Sequence, residues 1–190
     1  MAKAWFEGNN IFVSLDVNTA PQNAIDVPDN TLPQDLVINN GVLRLKTDAE
    51  KLQEKKQQLL EELARTIQDY ILQFYPFIKQ QSDAVDVENA NNYLLLQGID
   101  ITALRKDIMQ ETINNYPNFN TALTNILSKY NPTSNPDMTY WITQLLKASF
   151  RFYFIHLVKE EYYQLKQAIQ NATTETQLPQ IKLFTPLPLL

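Results

Sequence analysis

The chain has 190 residues, 44% of them hydrophobic, with a formal net charge of -5, ten prolines, three glycines, one histidine and no cysteine. That length and apolar content suffice for one globular domain with appendages, while the acidic balance argues against affinity drawn from nucleic-acid phosphates or anionic lipid. Disulfides and thiolate metal sites are excluded, one histidine cannot build the usual zinc sites, and the isolated Gly8, Gly41 and Gly98 make no phosphate loop.

The stretch MAKAWFEGNN has one early lysine and no apolar run of signal-peptide length. No segment approaches the roughly 20 apolar residues of a membrane span, so a cytoplasmic location and no membrane partner are expected. Residues 1–46 read as an N-terminal arm: from Ala4 to Leu36 there are prolines at 21, 28 and 33, five acids and no cation. Within it Ile11, Val13, Leu15 and Val17 alternate with Phe12, Ser14 and Asp16, the period of a half-buried strand. In DLVINNGVLRLK, Asn40-Gly41 supplies the positive-φ pair of a type I′ turn. A two-residue loop sets Ile38 opposite Leu43 and Leu36 opposite Leu45, gathering four apolar side chains on one face. A lone hairpin is marginal in water, so this face needs a cover.

Residues 47–171 read as a helical body. Thr47 and Glu50 form a capping box for a long helix whose stripe is Leu52, Leu59, Leu63, Ile67, Tyr70 and Phe74, ended by Pro76. Its polar first turns are expected to project into solvent or along a partner. QQSDAVDVENANN reads as a polar connection. Asp100 is the N-cap of a helix to about Asn115 with Ile101, Leu104, Ile108 and Met109 as its stripe; another runs from near Asn118 with Phe119, Leu123, Ile126, Leu127 and Tyr130. Asn135, Pro136 and Asp137 start a second long helix reaching about Asn171, apolar on most faces from Trp141 to Val158 and therefore enclosed. The alternation in SFRFYFI also suits a strand, but its flanks favour helix. The fold class expected is mainly α: a bundle of two long helices and a shorter pair, with a strand and hairpin arm and an extended proline-rich tail.

That tail is 172–190. Pro179, Pro186 and Pro188 forbid a helix and a central strand, so the chain there is extended. Leu178, Ile181, Leu183, Phe184, Leu187 and Leu189 each forgo on the order of 1.5 to 3 kcal/mol of burial if left in water, so they need a surface, in the same chain or a neighbour. Together with Ile11, Val13, Leu15, Ile38 and Leu43 of the arm, they are the candidate partner-binding residues.

Catalytic signatures are lacking. His156 falls on the stripe of Trp141, Leu145 and Phe152 with Glu160 one turn later, a pair read chiefly as a core or interface histidine and only secondarily as an acid-base couple. Glu61-Glu62 and Glu160-Glu161 read as solvated faces. Lys147, Arg151 and Lys159 among aromatics are too few for a nucleic-acid stacking surface. No catalytic residue, cofactor or metal site is expected.

In helix order, in the late MTYWITQLLKASFRFYF helix and in its arms, the chain resembles the small helical connector and adaptor proteins of tailed-phage necks. That resemblance implies a non-enzymatic structural subunit, in a virion if the protein is viral, partnered by copies of itself and by other assembly proteins. The alternative is a monomeric or dimeric helical adaptor that binds one protein through the Leu59–Phe74 or Tyr140–Tyr153 face.

Overall fold

The computed structural model describes residues 1–190. It is mainly helical, with five α-helices and a small N-terminal set of antiparallel strands. It divides into two compact units, Met1–Leu59 with Ala172–Leu178, and Leu60–Asn171 with Pro179–Leu190.

In the first unit, β1 (Ala2–Glu7) lies between β2 (Asn10–Ser14) and β3 (Ile25–Val27), antiparallel to both. Gly8, at φ 61°, opens the two-residue turn that sets Glu7 opposite Asn10; a glycine at the first central position is the type II′ solution. β2 stops at Ser14 instead of reaching Val17. Ser14 Oγ accepts the Asp16 N–H and Asp16 Oδ1 accepts the Asn18 N–H, so side chains take the backbone donors a strand would have used. Leu15 and Val17 are consequently exposed.

Ala2, Ala4 and Val27 bury their side chains with Leu36 and Leu43, while Trp5 stacks on Phe12 on the other face at 5.5 Å between ring centroids. The hairpin of β4 (Leu36–Asn39) and β5 (Val42–Leu45) has the expected register, turned by Asn40 at φ 51° and Gly41 at φ 74°. Its apolar face is covered by β1 and β3, except that Leu45 stays exposed. α1 (Asp48–Phe74) begins with the expected box: Glu50 Oε2 accepts the Thr47 N–H at 2.8 Å and Thr47 Oγ1 the Glu50 N–H at 3.2 Å. Its polar first turns leave Gln53, Glu54, Lys55, Gln57 and Gln58 exposed to solvent, and several of their charges pair within this unit: Arg44 with Glu50, Lys46 with Glu54, Lys51 with Asp35 and Lys55 with Glu175.

The second unit holds α2 (Phe77–Leu96), α3 (Ile101–Asn115), α4 (Phe119–Tyr130) and α5 (Pro136–Asn171). α2 replaces the expected polar connection. Its inward stripe is Asp83, Val87, Ala90 and Leu94, helical in spacing but too polar and too small to register as hydrophobic. Gly98 at φ 80° closes it, with its N–H and that of Ile99 bonded to Leu95 and Leu94 carbonyls. On α3, Asp100 caps Ala103 N at 3.0 Å as expected, but Met109 faces outward and Thr112 takes the inward position.

α5 is the central element, and Asn135 Oδ1 caps it by accepting the Asp137 and Met138 N–H groups. Phe150 and Phe154 are fully buried and Phe152 is 58% exposed, so the ambiguous aromatic run obeys the helical period. Between Trp141 and Val158 it is less enclosed than expected, since Phe152 meets solvent. The core joins Leu94, Leu104, Ile126, Ile142, Leu146 and Phe150. No helix is long and apolar enough to cross a membrane.

Candidate functional site

The segment Pro179–Leu190 has no regular secondary structure and belongs to the helical unit. From Ile181 it alternates: Ile181, Leu183 and Thr185 are half-buried, while Lys182, Phe184 and Pro186 are exposed; Pro188 is buried. Its main chain is held mostly by side chains. Glu161 Oε1 accepts the Phe184 N–H at 2.6 Å, and Oε2 accepts both the Thr185 N–H at 3.2 Å and the Thr185 hydroxyl at 2.8 Å. Tyr70 donates its phenol to the Thr185 carbonyl at 2.8 Å and Tyr116 donates to the Pro186 carbonyl. The Leu189 N–H reaches the Pro117 carbonyl at 3.0 Å.

These groups come from three places in the helical unit. Tyr70 sits near the end of α1 with its ring 5.6 Å from that of Phe154, which fixes its direction. Tyr116 caps the C-terminus of α3 and packs on Phe150 and Tyr153. Glu161 lies on α5 two turns beyond Phe154, on the same face. Burial raises the pKa of the Tyr70 phenol, and the Glu161 charge raises it further; burial, with Tyr70 and Tyr153 nearby, does the same to Tyr116. Both phenols therefore stay protonated and act as donors. Two phenol donors and one two-oxygen acceptor thus hold the main chain of residues 184–186.

The candidate residues fall into three groups. Phe184, Leu187 and Leu189 are exposed, Phe184 to 73%; Ile181, Leu183 and Leu178 are half-buried. Ile11, Val13 and Ile38 pack on the first unit's own cluster and Leu43 lies in it, whereas Leu15 is exposed. Missed in the sequence were Tyr70, assigned to a core stripe, and Glu161, assigned to a solvated face. Tyr116 carried no role at all. These three are far apart in the chain, and no spacing rule links them.

His156 is exposed and so is not a core histidine; its ring lies 5.9 Å from that of Tyr153, and Glu160 is exposed as well. It rims an open groove of about 540 Å³ whose lining includes Val87, Ile108, Met109, Leu145, Phe152 and Tyr153. Ser149, in the same groove, bonds Thr112 at 2.8 Å; Thr112 gives its own proton to the Ile108 carbonyl, so the Ser149 proton is directed at Thr112 and not at a base. No carboxylate lines the groove. Arg151 is bound to Asp83, and the Lys147 ammonium lies 6.0 Å from the Phe119 ring centroid. No three His, Asp or Glu side chains converge as a metal site requires. Compared with protein-family models, curated proteins and solved structures, the chain matches none.

Proposed function

We propose that this chain is a non-enzymatic structural subunit of a multi-protein assembly, of the kind that virion neck and tail connectors exemplify, working in a virion or in the cytoplasm. The observation that carries the reading is the extended segment Pro179–Leu190, whose inner side is pinned by Glu161, Tyr70 and Tyr116 while Phe184, Leu187 and Leu189 point to solvent. A proline-stiffened ribbon pays little ordering entropy when a second surface covers its outer side. Contiguous exposed apolar side chains are the usual mark of a protein contact, and a second copy of the chain is the occupant that a homo-oligomer needs.

A second reading, a helical adaptor for one partner, is favoured by the open groove beside Met109 and Phe152. The α5 surface there belongs to the Tyr140–Tyr153 face. Light scattering on the full chain tests the first reading. Its mass should rise with concentration, and Phe184→Glu, Leu187→Glu and Leu189→Glu together, all at exposed positions, should return it to monomer. A wild-type chain that stays monomeric throughout would overturn the assembly reading.

A further inference from the structure

We infer that Tyr70, Tyr116 and Glu161 form a receptor for an extended Thr-Pro-Leu-Pro chain, and that it accepts residues 180–190 of a second copy as well as those of its own.

The receptor is made by the helical body, with one group each from α1, the end of α3 and α5, so its shape does not depend on the covalent attachment of what fills it. Its three side chains bond main-chain groups of residues 184, 185 and 186, and the Pro117 carbonyl next to Tyr116 accepts the Leu189 N–H. Sequence selectivity enters at three points. The Thr185 hydroxyl donates to Glu161 Oε2. Pro186 needs no acceptor for an N–H because it has none. Pro188 is buried, while the flanking Leu187 and Leu189 are exposed. A site that recognises an extended backbone by hydrogen bonds and a few side chains by fit is a peptide-binding site in the general sense.

Trans occupancy makes the same bonds as cis occupancy. What separates them is the effective concentration set by the connection. The connecting residues Ala172–Leu178 belong to the other unit, and Thr173–Gln177 are exposed, with Gln177 Oε1 bonded back to Thr173. The bound segment carries its own stiffening prolines and enters a second copy's receptor already extended. Crowding of copies, as in the assembly proposed above, then favours exchange of segments between neighbours. The partner named here rests on that assembly reading; the receptor itself does not.

Complementation between two full-length chains tests it. One, Thr185→Ala with Pro188→Glu, keeps the receptor and spoils the segment; the other, Tyr116→Phe with Glu161→Ala, keeps the segment and spoils the receptor. Each alone should sediment as a monomer and unfold cooperatively on heating. Mixed, they should form a 1:1 dimer. A fluorescent peptide of residues 180–190 should bind the first chain saturably, and bind at least about tenfold more weakly once Glu161→Ala is added, as expected for lost charge-assisted hydrogen bonds.

Peptide binding indifferent to Glu161, or none at all, overturns the receptor. A mixture that remains monomeric while the peptide binds overturns exchange between copies. If complementation succeeds but the wild-type chain never associates, the receptor stands and the assembly reading falls, so the two failures are distinguishable.

Discussion

Arg151 Nη1 lies 2.6 Å from Asp83 Oδ2, and this carboxylate is only 3% exposed. The same oxygen accepts the Tyr75 hydroxyl at 2.9 Å, while Lys79 reaches Oδ1 at 2.6 Å. Burial alone would raise the Asp83 pKa; the bonds from Lys79, Arg151 and Tyr75 outweigh it and hold the group below its ordinary value. Asp83→Ala leaves Arg151 with no anion in a largely desolvated place. Breaking a buried pair from one side costs about 3 to 5 kcal/mol, and the partial exposure of Lys79 argues for the lower end. Urea unfolding should show that loss, against less than about 1 kcal/mol for Lys79→Ala, an i,i+4 pair whose cation is half-exposed. Equal effects would mean that Asp83 does not join α2 to α5 through Arg151.

Glu50 ties the start of α1 to the hairpin, and its carboxyl is held at about 2 against an ordinary 4.5, first by the Arg44 guanidinium and then by the Thr47 N–H. A carboxyl with a depressed folded-state pKa stabilises fully above the unfolded value, and that stabilisation is lost as pH falls from 4.5 toward 2. The urea midpoint of the native chain should therefore exceed that of Glu50→Gln above about pH 5, with the gap closing through pH 3. A gap of constant size down to pH 3 would place the contribution elsewhere than in the charge.

Asp100 Oδ1 accepts the Ala103 N–H at 3.0 Å, satisfying one of the four orphan donors at the start of α3. Asp100→Ala should lower the unfolding free energy by about 1 kcal/mol, and Asp100→Asn, which keeps the acceptor, by a few tenths at most. Thermal unfolding of both variants beside the parent chain separates the cap from mere loss of charge.

What was legible in the sequence were the elements whose signals are local. The Thr47–Glu50 box, the Asp100 cap, the Asn135–Pro136 start and the Asn40-Gly41 turn each act within four residues, and all stand where expected. Gly8-Asn9 is a hairpin signal of the same kind. The strand before it gives no apolar alternation to match, because its buried positions, Ala2 and Ala4, are alanines. α2 is masked by its chemistry: its most buried polar residue, Asp83, is acceptable inside because Arg151 of α5, Tyr75 and Lys79 all bond its carboxylate. Tyr70, Tyr116 and Glu161 meet only in the folded unit. Their role follows from tertiary placement alone, as does the exposure of Phe184 on a ribbon whose opposite side is bound.

Phe150 and Phe152 test the helical reading of the aromatic run at the level of energy. In a strand these two would share a face, and truncating either would cost the same. In α5 they are 200° apart by the helical period. Phe150 is fully buried against Tyr116 and Phe119, whereas Phe152, 58% exposed, touches Tyr75 edge-on at 6.3 Å. Phe150→Ala should cost about 3 to 5 kcal/mol through lost burial and the cavity left behind. Phe152→Ala removes little burial and one aromatic contact worth about 0.5 to 1.5 kcal/mol. A difference of at least about 1.5 kcal/mol between the two in urea unfolding follows from those magnitudes. If the two substitutions proved equally damaging, Phe152 would have to be covered in solution by something other than its own helices, which is what a partner in the groove would do.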